Sequence, residues 1–220
     1  MPLTIAVSQH KTVTVPSAFE PSPKPLQMIK GFSLKAKEKK EEGSSPGSAS
    51  PTSNVALLRI QKDISDLSLP PSITVSFPDK NDLMNFEVAI IPDEGFYKGG
   101  KFCFSFKIKS LYPHEPPKVL ALQRIFHPNI DFNGNVCLNI LREDWKPVLS
   151  LSAILFGLQF LFQEPNTDDP LNKQAAQLLQ SDRTAFQRVV SSTMNGHLHD
   201  GIEFDNVMLL PKAQKQSYRR

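Results

Sequence analysis

Cysteine is almost missing from this sequence. Its 220 residues hold two, Cys103 and Cys137, too few for the disulfide framework of a small secreted domain. No Asn-x-Ser/Thr acceptor for N-glycans occurs. No apolar run approaches the roughly 18–20 residues of a membrane-spanning helix. The longest candidate, Leu151 to Phe162, is short and broken by Gly157 and Gln159. The N-terminus lacks a charged segment followed by an apolar stretch, so no secretory signal is expected. There is no Cys-x-x-Cys, no His-x-x-x-His and no Gly-rich phosphate loop, and His197-x-His199 alone is a weak metal site. These absences lead us to expect a cytoplasmic or nuclear protein in a reducing compartment, with no membrane partner and no metal.

Charge of neither sign dominates, and the formal net charge is +3. Residues 1–53 hold seven Lys against four Glu, and the last ten add Lys212, Lys215, Arg219 and Arg220. Residues 54–210 are therefore net acidic by four charges. A basic excess confined to the ends is weak evidence for nucleic acid, and no nucleic-acid partner is expected.

What is present suffices for one domain with tails: 40% of residues are hydrophobic. Residues 1–53 read as a disordered extension, with five prolines in the first 27, a charge run from Lys37 to Glu42 and a Gly/Ser/Pro linker to Ser53. Within it Met28 to Lys35 is oddly apolar. The core is expected over 54–205, followed by a basic tail at 206–220. Asn54 is a plausible N-cap for a helix to about Leu67, with Leu57, Ile60, Ile64 and Leu67 on one face and Arg59, Lys62, Asp63 and Asp66 elsewhere. Alternation predicts strands at Ile73–Phe77, around Phe86, Val88 and Ile90, around Phe102, Phe104, Phe106 and Ile108, and at Lys118–Leu122. Cys103 alternates with Phe102 and Phe104 and reads as structural. Arg124 to Leu149 shows no period, and so long an irregular stretch is more often functional than filler. Ser150 can cap an apolar helix over Leu151–Phe162. Asp169-Pro170 reads as the N-cap and first residue of another helix, and a last one runs from about Asp182 to Met194, before Gly196. The class is α+β: an N-terminal helix, a four-stranded antiparallel meander, a long loop and C-terminal helices.

The chemistry concentrates in that loop. Tyr112-Pro-His-Glu-Pro-Pro117, His127-Pro-Asn129, Cys137 eight residues after that Asn, and Trp145-Lys-Pro147 follow in order. This set resembles the catalytic domain of ubiquitin-conjugating enzymes over about residues 54–195. The run Cys137-Leu-Asn-Ile-Leu-Arg-Glu-Asp-Trp-Lys-Pro-Val-Leu149, with Pro92-Asp-Glu-Gly-Phe-Tyr97 and the apolar segment at Met28, is similar to the subfamily that conjugates the Nedd/Rub ubiquitin-like modifier to cullins.

The resemblance implies the ubiquitin-conjugating fold and a transferase. Such an enzyme takes the modifier as a thioester on Cys137 from an activating enzyme and passes it to a lysine, on a cullin held by a RING-type ligase. ATP is spent upstream, so no cofactor is expected. An unperturbed thiol, with pKa about 8.5, is a few per cent thiolate at neutral pH, and thioester exchange needs no strong base. Asn129, otherwise a turn former after Pro128, is implied to support the oxyanion of lysine attack and to hold the loop. Asp169 is implied to orient the incoming lysine and favour its deprotonation, with Asp168 the weaker candidate and Glu143 and Asp144 solvated. His127 gets no catalytic role, because the residues around Cys137 lack the papain-type pattern. Ubiquitin is the alternative modifier. An inactive conjugating-enzyme-like binding module is disfavoured by the presence of Cys137, and a thiol hydrolase by the lack of a Cys–His pair.

Met28, Ile29, Phe32 and Leu34 lie within seven residues, and exposed apolar side chains bring no gain unless a partner buries them. The resemblance implies that they dock in a groove of the activating enzyme, with an acetylated starting methionine entering a pocket on a ligase cofactor. Here 27 residues precede Met28, so the active form is expected either to begin at Met28 or to keep the groove contact and lose the terminal pocket.

Overall fold

Alternation of large apolar side chains with polar ones builds the sheet. On β2 (Asn85–Ile90), Phe86, Val88 and Ile90 are buried, and on β3 (Phe102–Lys107), Phe102, Phe104 and Phe106 are buried, while Glu87 and Lys107 face water. Registration sets Phe86 opposite Phe106, Val88 opposite Phe104 and Ile90 opposite Phe102, so the bulk of both strands meets on one face. β1 (Ile73–Ser76) and β4 (Lys118–Ala121) complete an antiparallel meander in the order β1-β2-β3-β4. The structure is a computed structural model that describes residues 51–208. The segment at 28–35, the linker after it and residues 209–220 lie outside the described residues.

Among the described residues four α-helices accompany the sheet: α1 (Pro51–Ser65), α2 (Leu151–Gln163), α3 (Lys173–Ser181) and α4 (Arg183–Met194). Leu151, Ile154, Leu155, Leu158, Leu161 and Phe162 of α2 are buried, and Phe162 stacks on Phe102 of β3 with ring centroids 4.3 Å apart. The helix is not apolar-buried all round, since Phe156 and Phe160 are exposed. Ser150 stands at its N-cap position without making a side-chain capping bond.

Several boundaries differ from the sequence expectation. α1 starts at Pro51, three residues before Asn54, because a proline at the first helical position loses no hydrogen bond and has its φ already set. Its inward face is Ala56, Ile60 and Ile64, with Leu67 just beyond; Leu57 is exposed, and Asp63 is buried. Asp169-Pro170 does not start a helix. α3 begins at Lys173, capped by Asn172, whose side chain accepts from the Ala175 N–H at 3.1 Å while its own N–H donates to Pro128 O at 2.9 Å. The tie to Pro128 and the Asn172 cap set the start of α3, and residues 166–172 stay irregular. The Asp182 cap of α4 is as expected, accepting from the Ala185 N–H. The packed chain continues past residue 205: Val207 is buried, donates to Met194 O and accepts from the Lys101 N–H.

Residues 124–149 contain no strand and no α-helix, only a 3-10 turn at Asn139–Leu141. Their path is nonetheless specified. Asp131 Oδ1 accepts from the N–H groups of Asn133 and Asn135, and Gly134 at φ +83° lies so close to β4 that a Cβ there would meet Ala121 O at 2.3 Å. Only glycine fits this turn, which delivers the chain to Cys137.

Candidate active site

Three stretches of chain converge on Cys137. The first is His127–Asn129. His127 is fully buried, and its Nδ1 accepts from the Asn129 N–H at 2.9 Å. Nε2 must then carry the proton, and it donates to Leu161 O at 3.0 Å. Burial pulls the imidazole pKa down to about 3, so the ring is neutral at physiological pH. With both nitrogens engaged and the ring against Tyr97, His127 anchors the loop to α2 and is no base for the thiol.

Asn129 is 1% exposed and joins the other two stretches. Its carbonyl accepts from the Cys137 N–H at 2.8 Å. Its side-chain amide grips Asn166 twice, donating from Nδ2 to Asn166 O at 2.8 Å and accepting at Oδ1 from the Asn166 N–H at 2.9 Å. Asn129 thus fixes the segment that carries Asp169 relative to the one that carries Cys137.

Cys137 is 6% exposed. Its Sγ lies 3.5 Å from Asp169 Oδ2 and 3.5 Å from Arg142 Nη1, and those two partners are 3.9 Å apart. Burial pushes the thiol pKa up; Arg142 pulls it down, and Asp169 and then Glu143 add to the rise. Asp169 is 81% exposed and caps nothing, so its carboxylate is open to whatever approaches the thiol. Asp168, Glu143 and Asp144 are exposed as expected. Cys103 is half-buried on β3, and both cysteines are free thiols.

Arg142 stands within the run that follows Cys137, but nothing in that run assigns it a role. It reaches Cys137 because the 3-10 turn folds the chain back, and the available signal was a lone cation five residues after the cysteine. The Tyr112 and Trp145 motifs instead form a scaffold. Tyr112 donates its hydroxyl to buried Asp63, which also accepts from Arg59 Nε at 3.1 Å. Arg59 donates onward to Pro147 O and Leu149 O, both at 2.8 Å, and Trp145 Nε1 donates to Pro113 O at 2.8 Å. This network pins the end of the loop to α1.

The family model described as "Ubiquitin-conjugating enzyme" matches residues 59–194. The chain is 55% identical to Nedd8-conjugating enzyme UbcE2M of Drosophila melanogaster, across 77% of this chain and 92% of that protein. It is 53% identical to NEDD8-conjugating enzyme UBC12 of Yarrowia lipolytica, across 83% of this chain and 99% of the relative. The solved structure of S. cerevisiae Ubc12 superposes with a TM-score of 0.67 at 46% identity, covering 70% of this chain and 87% of that one.

Proposed function

The chain belongs to the ubiquitin-conjugating enzyme family, and on that premise we propose that this transferase carries a NEDD8-type modifier as a thioester on Cys137 and hands it to a substrate lysine. The observation that carries the reading is the meeting of one thiol, one carboxylate and one guanidinium within 4 Å, at the joint of segments that Asn129 locks together. Relatives named as NEDD8-conjugating enzymes support the choice of modifier.

In charging, the Cys137 thiol gives its proton to solvent and Sγ bonds to the carbonyl carbon of the modifier's C-terminal thioester on the activating enzyme. The C–S bond to that enzyme's cysteine breaks and its thiolate leaves. One thioester replaces another, so ATP is needed only upstream and no cofactor is bound here. In discharge a lysine amine attacks the carbonyl, the C–S bond to Cys137 breaks, and an isopeptide bond remains. The exposed Asp169 carboxylate attracts the lysine ammonium and takes a proton from it to free the attacking amine; the adduct then loses its second N–H proton to solvent as Cys137 departs as a thiolate. Asn129 Nδ2 has two hydrogens and gives one to Asn166, which leaves the other for the oxyanion.

The partners on this reading are the modifier, its activating enzyme, a RING-type ligase and a cullin, met in the cytoplasm and nucleus. The apolar residues Met28, Ile29, Phe32 and Leu34 dock on the activating enzyme. Burial of Phe32 and Leu34 would stabilise that contact by about 1.5–3 kcal/mol each before ordering costs. Charging rates with NEDD8 and with ubiquitin, each with its own activating enzyme and ATP, test the proposal. Faster charging with NEDD8, slowed by Phe32→Ala at limiting enzyme, supports it; faster charging with ubiquitin overturns the choice of modifier.

A further inference from the structure

The thiol faces one positive charge, and its placement is too well supported to be a wandering surface residue. The 3-10 turn before Arg142 is closed by the Leu141 N–H on Leu138 O at 2.8 Å and by the Arg142 N–H on Asn139 O at 2.9 Å. After it, the Trp145 N–H donates to Arg142 O at 3.2 Å, and the Trp145 ring is fastened to Pro113. The turn also sits in a dent of α2. A Cβ on Gly157 would come to 3.0 Å from Ile140 Cδ1 and 3.3 Å from Leu138 Cδ2. Glycine is disfavoured inside a helix relative to alanine, and here it admits the turn that aims Arg142. The side chain then runs to the sulfur, with Asp169 on its flank at 3.9 Å.

We infer that Arg142 is a catalytic residue of both half-reactions: its guanidinium holds negative charge on Cys137 Sγ, first as nucleophile and then as leaving group, while Asp169 steers it onto the sulfur. The inference rests on the thioester reading above. Charge develops on this sulfur twice, when the S–H proton leaves before attack on the incoming thioester and when the C–S bond breaks under lysine attack. His127 does not serve the atom, because both of its nitrogens are engaged elsewhere. A guanidinium stays protonated throughout the working range and donates without giving up its proton. Asp169 plays two opposed parts: it accepts from the resting S–H and favours the neutral thiol, and it neutralises the ammonium of the incoming lysine. Arg142 offsets the first part and leaves the second intact. Glu143, the other charged group acting on the thiol, works against Arg142.

The test is the pH profile of iodoacetamide alkylation at Cys137, in a Cys103→Ser background so that a single thiol reports. Arg142 is 45% exposed, so its variants should fold, and thermal melting checks this. Arg142→Ala should raise the alkylation midpoint and slow the neutral-pH rate about two- to fivefold, the size of a partly exposed ion pair. Arg142→Lys should recover part of the loss, and Asp169→Asn should shift the midpoint the opposite way. Discharge of a preformed NEDD8 thioester to lysine should slow by a similar factor in Arg142→Ala. An unchanged midpoint in Arg142→Ala, or Arg142→Lys behaving like Arg142→Ala, would overturn the inference. Failure of the wild type to charge would sink the thioester reading instead, and the alkylation profile would still report on Arg142.

Discussion

Two polar clusters stand at opposite ends of one stretch of loop, Cys137 to Leu149, and they are completed to different degrees. At the far end Asp63 is buried and accepts from both Tyr112 and Arg59, and Arg59 donates onward to two loop carbonyls. At the near end the contacts of Cys137, Arg142 and Asp169 are 3.5–3.9 Å long, and Asp169 is mostly in water. A saturated network is rigid and has no capacity left for a substrate, whereas an under-paired one can exchange its contacts for those of a reacting group. The finished cluster thus holds the loop, and the open one is left free to react. Asn129 and His127 are buried like the first and adjoin the second.

The largest expected effect would break the finished cluster. Asp63→Ala strands the buried Tyr112 hydroxyl and removes a partner of Arg59, at about 3 kcal/mol. Thermal or denaturant unfolding should show that loss, while the alkylation midpoint of Cys137 in molecules still folded stays put. A variant as stable as wild type would remove the cluster from the scaffold.

Asn129→Ala probes the middle ground. Charging at Cys137 should persist, while discharge to lysine slows roughly 10²-fold, about 2.7 kcal/mol of barrier, the size of one oxyanion donor. If charging falls in step with thermal stability, the grip on Asn166 accounts for Asn129 entirely.

A smaller effect is a pH dependence. His127 has a folded pKa of about 3 against about 6.5 in the unfolded chain. As pH falls below about 6.5 the unfolded state takes up the proton first, so this residue lowers stability by about 1.4 kcal/mol per pH unit until near its folded pKa. Above that window it contributes no slope. The stability gap between wild type and His127→Gln, followed by urea unfolding from pH 7 to 4.5, should therefore narrow on acidification. A constant gap would mean that the ring is not held neutral by burial.

The parts of the molecule legible in the sequence are those set by short-range pattern. Alternation at Phe86–Ile90 and Phe102–Phe106 marks the strands because one sheet face is buried, and Asp182 marks α4 because its cap is local. Asp169-Pro170 misleads for the opposite reason: the start of α3 is set by Asn172 together with the tertiary bond to Pro128. Asp63 reads as a surface charge until Tyr112, almost fifty residues away, supplies its partner. In the site, Cys137, Asn129 and Asp169 came from resemblance to a family, and the structure brings all three within a few contacts of one another. Arg142 lies in the run after Cys137, but its role was not legible there, since its nearness to the thiol depends on a turn seated against Gly157.

If the open cluster carries the modifier, the thioester on Cys137 can be seen on a gel. The protein is incubated with activating enzyme, ATP and NEDD8 and run on a non-reducing gel, alongside Cys137→Ala and Cys103→Ser. An adduct is expected in wild type and Cys103→Ser that vanishes on adding reductant and never forms in Cys137→Ala. A reductant-sensitive adduct that survives Cys137→Ala, or that disappears in Cys103→Ser alone, would contradict that expectation.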